Sequence, residues 1–348
     1  MLDYIIVGFG LSGLAFAEIL EEHRHSFVVF NDKSQRSSRV AGGLFNPVIL
    51  KRFTLAWKAN EHLRLALPFY KNLEDKLNQK FIHDVKVLRR FNSIEEQNLW
   101  FQAADKPKLD QFLSDKLIPN TNEALDIPYR YGRVMETGKI DTATLLDAYS
   151  ELLDKKYRLR NETFQYDALK IKEDCIEYNG IKAKHILFAE GFGLKNNPFF
   201  AYLPLYGNKG EYITIRCEKL QLEEAVKSSI FIIPLGNDLY KVGATYNNED
   251  KTPNATSSAK EELIKKLDLF LKVEYEIIDQ VAGIRPTIRD RRPVVGNHPK
   301  YFQIHILNGL GSRGVLTAPY SAKQLYNYIE KEEPLDAEID CSRFKYVE

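Results

Sequence analysis

The chain opens on a short apolar run, Leu2-Asp3-Tyr4-Ile5-Ile6-Val7, that stops at Gly8. From Leu11 to Glu22 the apolar positions shift to helical spacing: Leu11, Leu14, Ala15, Ala17, Ile19 and Leu20. A second run, Phe27-Val28-Val29-Phe30, follows. Strand, glycine turn, helix and strand within about 30 residues predict a βαβ unit opening a parallel sheet.

Residues 54–80 carry a long helical pattern with a kink expected at Pro68. Short strands and polar helices alternate from Val85 to about Pro128. Asp141 is placed to cap a helix over Thr142–Lys155. The Asn179-Gly180 pair predicts a hairpin turn between two short strands, and His185 to Ala189 reads as a buried parallel strand. Between Gly207 and Gly243 the pattern becomes alternating, with strands at residues 211–215, 229–233 and 239–243, which predicts an antiparallel sheet. A helix is expected over residues 257–271. The last third returns to strand, glycine loop and helix: residues 303–307, then Asn308 to Gly314, then residues 315–329. No repeat or low-complexity linker interrupts the chain. The expected architecture is α/β: a Rossmann-like domain with a parallel sheet from residues 1–50, 140–200 and 281–348. An α+β substrate domain on an antiparallel sheet is expected from residues 51–139 and 201–280.

Gly8-Phe9-Gly10-Leu11-Ser12-Gly13 sits between the predicted strand and helix, and each glycine has its own task. Gly8 permits the tight turn, Gly10 lets backbone approach a pyrophosphate, and Gly13 lets the helix pack on the strand. The helix N-terminus offers N–H groups and partial positive charge to phosphates. An acidic residue is expected about 20 residues on to hold ribose hydroxyls. Here Asn31 stands at that place with Asp32 directly after it, so either side chain is the candidate.

Composition changes little. The 348 residues, with 49 basic and 48 acidic side chains, leave no net field to recruit nucleic acid. Three cysteines without a CxxC pair argue against a disulfide framework or a thiolate zinc site. His23 and His25 lack a third ligand and read as surface residues, so no metal is expected. No apolar run approaches the ~20 residues of a membrane span, and no secretory leader is evident. A cytoplasmic location is expected. The basic groups Lys86/Arg89/Arg90, Lys155/Lys156/Arg158/Arg160 and Arg289/Arg291/Arg292 read as solvated faces. Two of them on one face would make a phosphate track for tRNA, a possible but not favoured partner.

Gly283-Ile284-Arg285-Pro286 followed by Asp290 and Pro293-Val294-Val295-Gly296 resembles a segment of the D-amino-acid oxidase superfamily of FAD-dependent flavoproteins. Gly309-Leu310-Gly311-Ser312-Arg313-Gly314-Val315-Leu316-Thr317-Ala318-Pro319 resembles that superfamily's flavin loop and last helix. Ser38-Arg39-Val40-Ala41-Gly42-Gly43-Leu44 resembles the loop beside the isoalloxazine, Ala189-Glu190-Gly191 its strand end near the cofactor, and Lys241 to Tyr246 its substrate-domain strand. Within the superfamily the pattern is most similar to the FAD domain of tRNA 5-methylaminomethyl-2-thiouridine modification enzymes, with glycine oxidase also near.

The resemblance implies noncovalent FAD, since neither His nor Cys occurs between Ser37 and Asn46 and no Cys in the second glycine loop. It implies cofactor contacts from Gly8, Gly10, Leu11, Ser12, Gly13, Asn31, Asp32, Ser38, Arg39, Gly42, Gly43, Leu44, Ala189 and Gly191. Gly311, Ser312, Arg313, Gly314, Val315 and Leu316 complete that set. It implies Arg285 and Arg313 as carboxylate-facing arginines, and Tyr246 as a pocket hydroxyl. The implied chemistry is oxidation of the C–N bond of a small amine or amino acid by hydride transfer to flavin N5, giving an imine that hydrolyses. The electron acceptor, oxygen or quinone, stays open. Two alternatives remain: a tRNA wobble-uridine oxidoreductase that removes a carboxymethyl group, and a flavin-binding protein without catalysis.

Overall fold

The computed structural model describes residues 1–346. Its first sheet is built on parallel strands in the order Leu159–Arg160, Phe27–Phe30, Leu2–Val7, Ile181–Phe188, Ile304–Asn308. The sequence alternates sides along the central strand. Tyr4 and Ile6 pack into a core with Leu14, Ala17 and Leu325 of the covering helices, while Ile5 and Val7 face Phe164, Tyr178 and Phe188. A sheet buried on both faces needs such an unbroken apolar run. The hairpin Ile176–Tyr178 to Ile181–Phe188 extends it, with Asn179 and Gly180 both at positive φ in the turn. The glycine turn leads from Val7 into the helix Leu11–Glu22 as expected. Asp141 caps Thr142–Lys155 by accepting from the Thr144 N–H at 3.1 Å.

The second sheet runs in the order Glu276–Ile288, Leu205–Arg216, Leu239–Gly243, Phe231–Gly236, Ala225–Lys227, Val87–Arg90, Tyr131–Val134. It is antiparallel throughout except for Ala225–Lys227 against Val87–Arg90, which are parallel. Its period-two alternation divides the residues cleanly. Ile213, Ile215, Val226, Ile232 and Val242 bury one face under Leu263, Leu267 and Phe270 of the helix Ser257–Asp268 and its end. Thr256 caps that helix by accepting from the Ala259 N–H. The opposite face carries Tyr212, Gly243, Phe231, Lys227 and Arg89 in one cross-strand row.

Some expectations shift. Glu276–Ile288 is one strand of the second sheet and runs through the boundary expected at 281, because its hydrogen bonds with Leu205–Arg216 continue to Ile288. The long helix is Ala59–Leu77, with Pro68 inside it. It packs on the helix Gly314–Lys331. Its Tyr70 hydroxyl donates to the Val315 carbonyl at 2.8 Å, so it props the second glycine loop from behind.

The basic groups also differ from simple solvated faces. Arg89 is buried, paired with Glu96, and donates to the Ser228 carbonyl at 2.7 Å. Lys156 and Arg158 both pair with Glu21. Arg292 pairs with Glu338 and lies over the Trp57 ring. His23 is exposed and stacks on Tyr326. No cluster of metal-ligating side chains occurs among the described residues. No helix among them is long and apolar enough to cross a membrane.

Candidate functional site

Both glycine turns open into one cavity of about 670 Å³, bounded by the ends of the parallel strands and the face of the antiparallel sheet that carries Tyr212, Phe231 and Lys227. Of the residues singled out by sequence, all but Gly13 and Arg39 line it. Gly13 lies one layer back, where a Cβ would collide with the Gly8 carbonyl. That fits its helix-packing task. Arg39 turns away: its guanidinium pairs with Asp147, so the charge expected beside the cofactor is spent on the helix Thr142–Lys155.

At the parallel-sheet end, Gly8 has φ +97, and a Cβ there would lie 2.5 Å from the Ala189 carbonyl oxygen. Gly10 faces the cavity with Ser38 behind it, and the Ser38 Oγ accepts from the Leu11 N–H at 3.2 Å. Asn31 and Asp32 both reach this end. Asp32 accepts from the Ser34 N–H at 2.9 Å and from the Thr163 hydroxyl at 3.3 Å. Glu190, only 9% exposed, accepts from the Tyr166 hydroxyl and from Asn197 Nδ2, the latter at 2.7 Å. Burial pushes its carboxyl up to about 7 against the pull of those two hydrogen bonds.

The middle of the cavity is walled by Gly42, Gly43, Leu44, Gly311, Ser312 and Gly314. Lys241, from the antiparallel sheet, donates to the Val40 carbonyl at 3.0 Å and the Ala41 carbonyl at 3.4 Å, tying the early loop to that sheet. Arg313 donates to the Asn46 carbonyl at 2.9 Å and the Val48 carbonyl at 3.2 Å. Burial lowers its pKa to about 10. The guanidinium thus fastens the segment after Gly43 to the second glycine loop, and only its remaining N–H groups stay free for a ligand.

At the antiparallel-sheet end, Arg285 donates to Asn208 Oδ1 at 2.7 Å and to the Thr245 carbonyl at 3.4 Å. Tyr246 is 63% exposed at the cavity rim rather than packed in a core. Tyr212, Phe231, Ile233 and Lys227 complete this wall, and Lys51 also lines the cavity. Sequence reading passed over these five. The alternation of the strands was visible, but which face meets the cavity depends on pairing between distant segments. Among the described residues no carboxylate lies within ion-pair distance of Lys51, Lys227, Arg285 or Arg313. No cysteine or histidine among them lines the cavity.

A cavity with a pyrophosphate-type glycine turn at one end and a second glycine loop along its middle has the shape and donors for an extended dinucleotide. Residues 3–327 match the family model described as FAD dependent oxidoreductase. The chain belongs to that family. This FAD-dependent oxidoreductase is 21% identical over 370 residues to the tRNA 5-methylaminomethyl-2-thiouridine biosynthesis bifunctional protein MnmC of Legionella pneumophila subsp. pneumophila, covering 94% of the chain and 54% of that protein. It is 26% identical over 163 residues to the glycine oxidase of Bacillus subtilis, covering 43% of the chain and 42% of that enzyme. The oxidoreductase thus spans about half the length of the curated relatives it matches. Its fold superposes on glycine oxidase from Bacillus cereus with a TM-score of 0.79 at 18% identity, covering 96% of each chain.

Proposed function

We propose that the chain oxidises the C–N bond of a small amine or amino acid that carries a carboxylate. The observation that carries this is Arg285: a cavity-facing guanidinium oriented by an amide and a carbonyl oxygen, with no carboxylate of its own. Its fork matches a carboxylate through two parallel hydrogen bonds. Bound FAD supplies a two-electron acceptor at N5 for the hydride leaving the amine-bearing carbon. The amine also loses a proton, and water then hydrolyses the imine to a carbonyl compound and the released amine.

The chain's own residues bind and orient rather than act as acid or base. Gly8, Gly10, Leu11, Ser12 and Ser38 suit the pyrophosphate, with Asn31 and Asp32 at the ribose. Gly311 to Leu316 suit the flavin edge, where free N–H groups at the start of the helix Gly314–Lys331 favour negative charge. Tyr212, Phe231, Ile233 and Leu44 exclude water from the reacting centre. The absence of His and Cys from the described lining supports noncovalent FAD.

A panel of amines and amino acids assayed with an electron-accepting dye tests the reading. Glycine, sarcosine or a D-amino acid is expected to reduce the dye. If no member of the panel reduces the flavin, the reading is wrong. Removal of a carboxymethyl group from a tRNA wobble uridine is the second reading, favoured by the match to MnmC along 94% of the chain. The same arginine would serve the carboxylate of an N-alkyl glycine. A gel-shift with bulk tRNA at low salt separates the two, and absence of a shift counts against the second.

A further inference from the structure

The antiparallel sheet brings a second cation to the cavity wall, well away from Arg285. Arg285 lies on the edge strand, opposite Asn208. Lys227 lies four strands across, opposite Phe231, in the row of Tyr212 and Gly243. That row is four residues along the strand from Asn208. At ~4.8 Å per strand and ~3.3 Å per residue, the two backbones stand roughly 23 Å apart. The long stems of both side chains close part of this gap, not all of it.

Lys227 donates to the Ser228 carbonyl at 2.9 Å and the Ser229 carbonyl at 2.8 Å, with its ammonium over the Phe231 ring at 5.0 Å. Two of three N–H groups are thereby used. Carbonyl oxygens and a ring face stabilise a cation without neutralising it. Neighbouring Arg89 is answered by Glu96, while Lys227 has no carboxylate partner among the described residues. Burial, with Arg89 and Lys266 adding repulsion against the weaker pull of Glu96, lowers the Lys227 pKa to about 8. A part-buried charge left in this state is costly to the fold and strongly favours an anion. Ser229, two residues on in the chain, lines the cavity with Lys227.

We propose that Lys227 is the anion-binding residue of a distal subsite, and that the small amines turned over are bettered by an amine extended enough to reach it. One end carries the carboxylate for Arg285 with the oxidised C–N bond beside it; the far end carries a second anionic group, carboxylate or phosphate, for Lys227. A small amino dicarboxylate cannot reach both cations. This inference rests on the amine-oxidising reading above.

Three probes test it on the flavin-loaded protein: N-(carboxymethyl)hexylamine, N-(carboxymethyl)-6-aminohexanoate, and the matching amine with a terminal phosphate. Turnover gives kcat/KM, and calorimetry on dithionite-reduced protein gives affinity without turnover. At least one of the two anionic probes is expected to exceed the hexylamine about tenfold in both measures, the size of one charge-assisted contact. The better of the two names the group. Lys227→Met is expected to bring the ratio to about one and Lys227→Arg to retain it, with flavin content and melting temperature showing that both variants fold. A ratio near one in the parent protein, or a preference that survives Lys227→Met, overturns the subsite. Turnover of no probe, with a binding ratio that Lys227→Met abolishes, supports the subsite and removes the oxidation reading instead.

Discussion

At the parallel-sheet end of the cavity the ionisable groups are acidic, and the buried one is fully partnered: Glu190 is held by Tyr166 and Asn197, and Asp32 receives Thr163. At the antiparallel-sheet end they are basic, and Arg285 and Lys227 meet carbonyl and amide oxygens and, for Lys227, an aromatic ring, but no carboxylate. The hydrogen-bonded carboxylates of the first end suit the hydroxyl-rich ribose proposed for it, with backbone N–H groups of the glycine turn beside them. The second is electrostatically incomplete until an anion enters. One cavity thus holds two recognition problems, solved by two sheets of different construction.

The sharpest way to break the contrast is to damage the parallel-sheet end alone. Gly8→Val places a β-branched residue at φ +97 with its Cβ 2.5 Å from the Ala189 carbonyl oxygen. The purified variant is expected to carry almost no flavin by absorbance. Gly10→Ala, whose Cβ meets only the Ser38 hydroxyl at 3.0 Å, should retain part of it. Full flavin content in Gly8→Val would mean that this end does not hold the dinucleotide.

Damage to the other end should leave the flavin in place and remove substrate recognition. Arg285→Leu is expected to lower kcat/KM for the best amine of the panel by on the order of a hundredfold or more. Arg285→Lys should recover part of the loss by restoring charge without the planar fork. Steady-state kinetics alongside flavin content check this. A drop in flavin content equal to the drop in activity would place Arg285 with the cofactor instead.

A smaller effect probes the acidic end through pH. The Glu190 carboxyl is raised from 4.5 to about 7, so the folded state prefers its protonated form while the unfolded chain releases the proton near 4.5. Its contribution to stability is therefore complete at low pH and is lost as pH rises from about 4.5 to about 7. Relative to Glu190→Gln, which removes the titration and keeps one of the two accepting oxygens, the parent should lose about 3 kcal/mol across that window. Denaturation curves at stepped pH measure it. Parallel stability profiles for the two proteins would show that Glu190 does not titrate in this range.

Local pattern carried much of this protein. The run Leu2 to Val7, the glycines at 8, 10 and 13, the Asp141 cap and the Asn179-Gly180 turn depend on neighbours in sequence, and each forms where the residues call for it. The second glycine loop was equally readable because a strand, a loop and a helix follow one another without long-range help. Tertiary structure decided what local pattern leaves open. It turned Arg39 toward Asp147, moved Ala59–Leu77 behind the second glycine loop, and carried Glu276–Ile288 through the expected domain boundary. It also chose the face of the antiparallel sheet that meets the cavity, and with it Tyr212, Phe231 and Lys227. Period-two alternation states that two faces differ; only the pairing of strands far apart in sequence states which face a ligand will see.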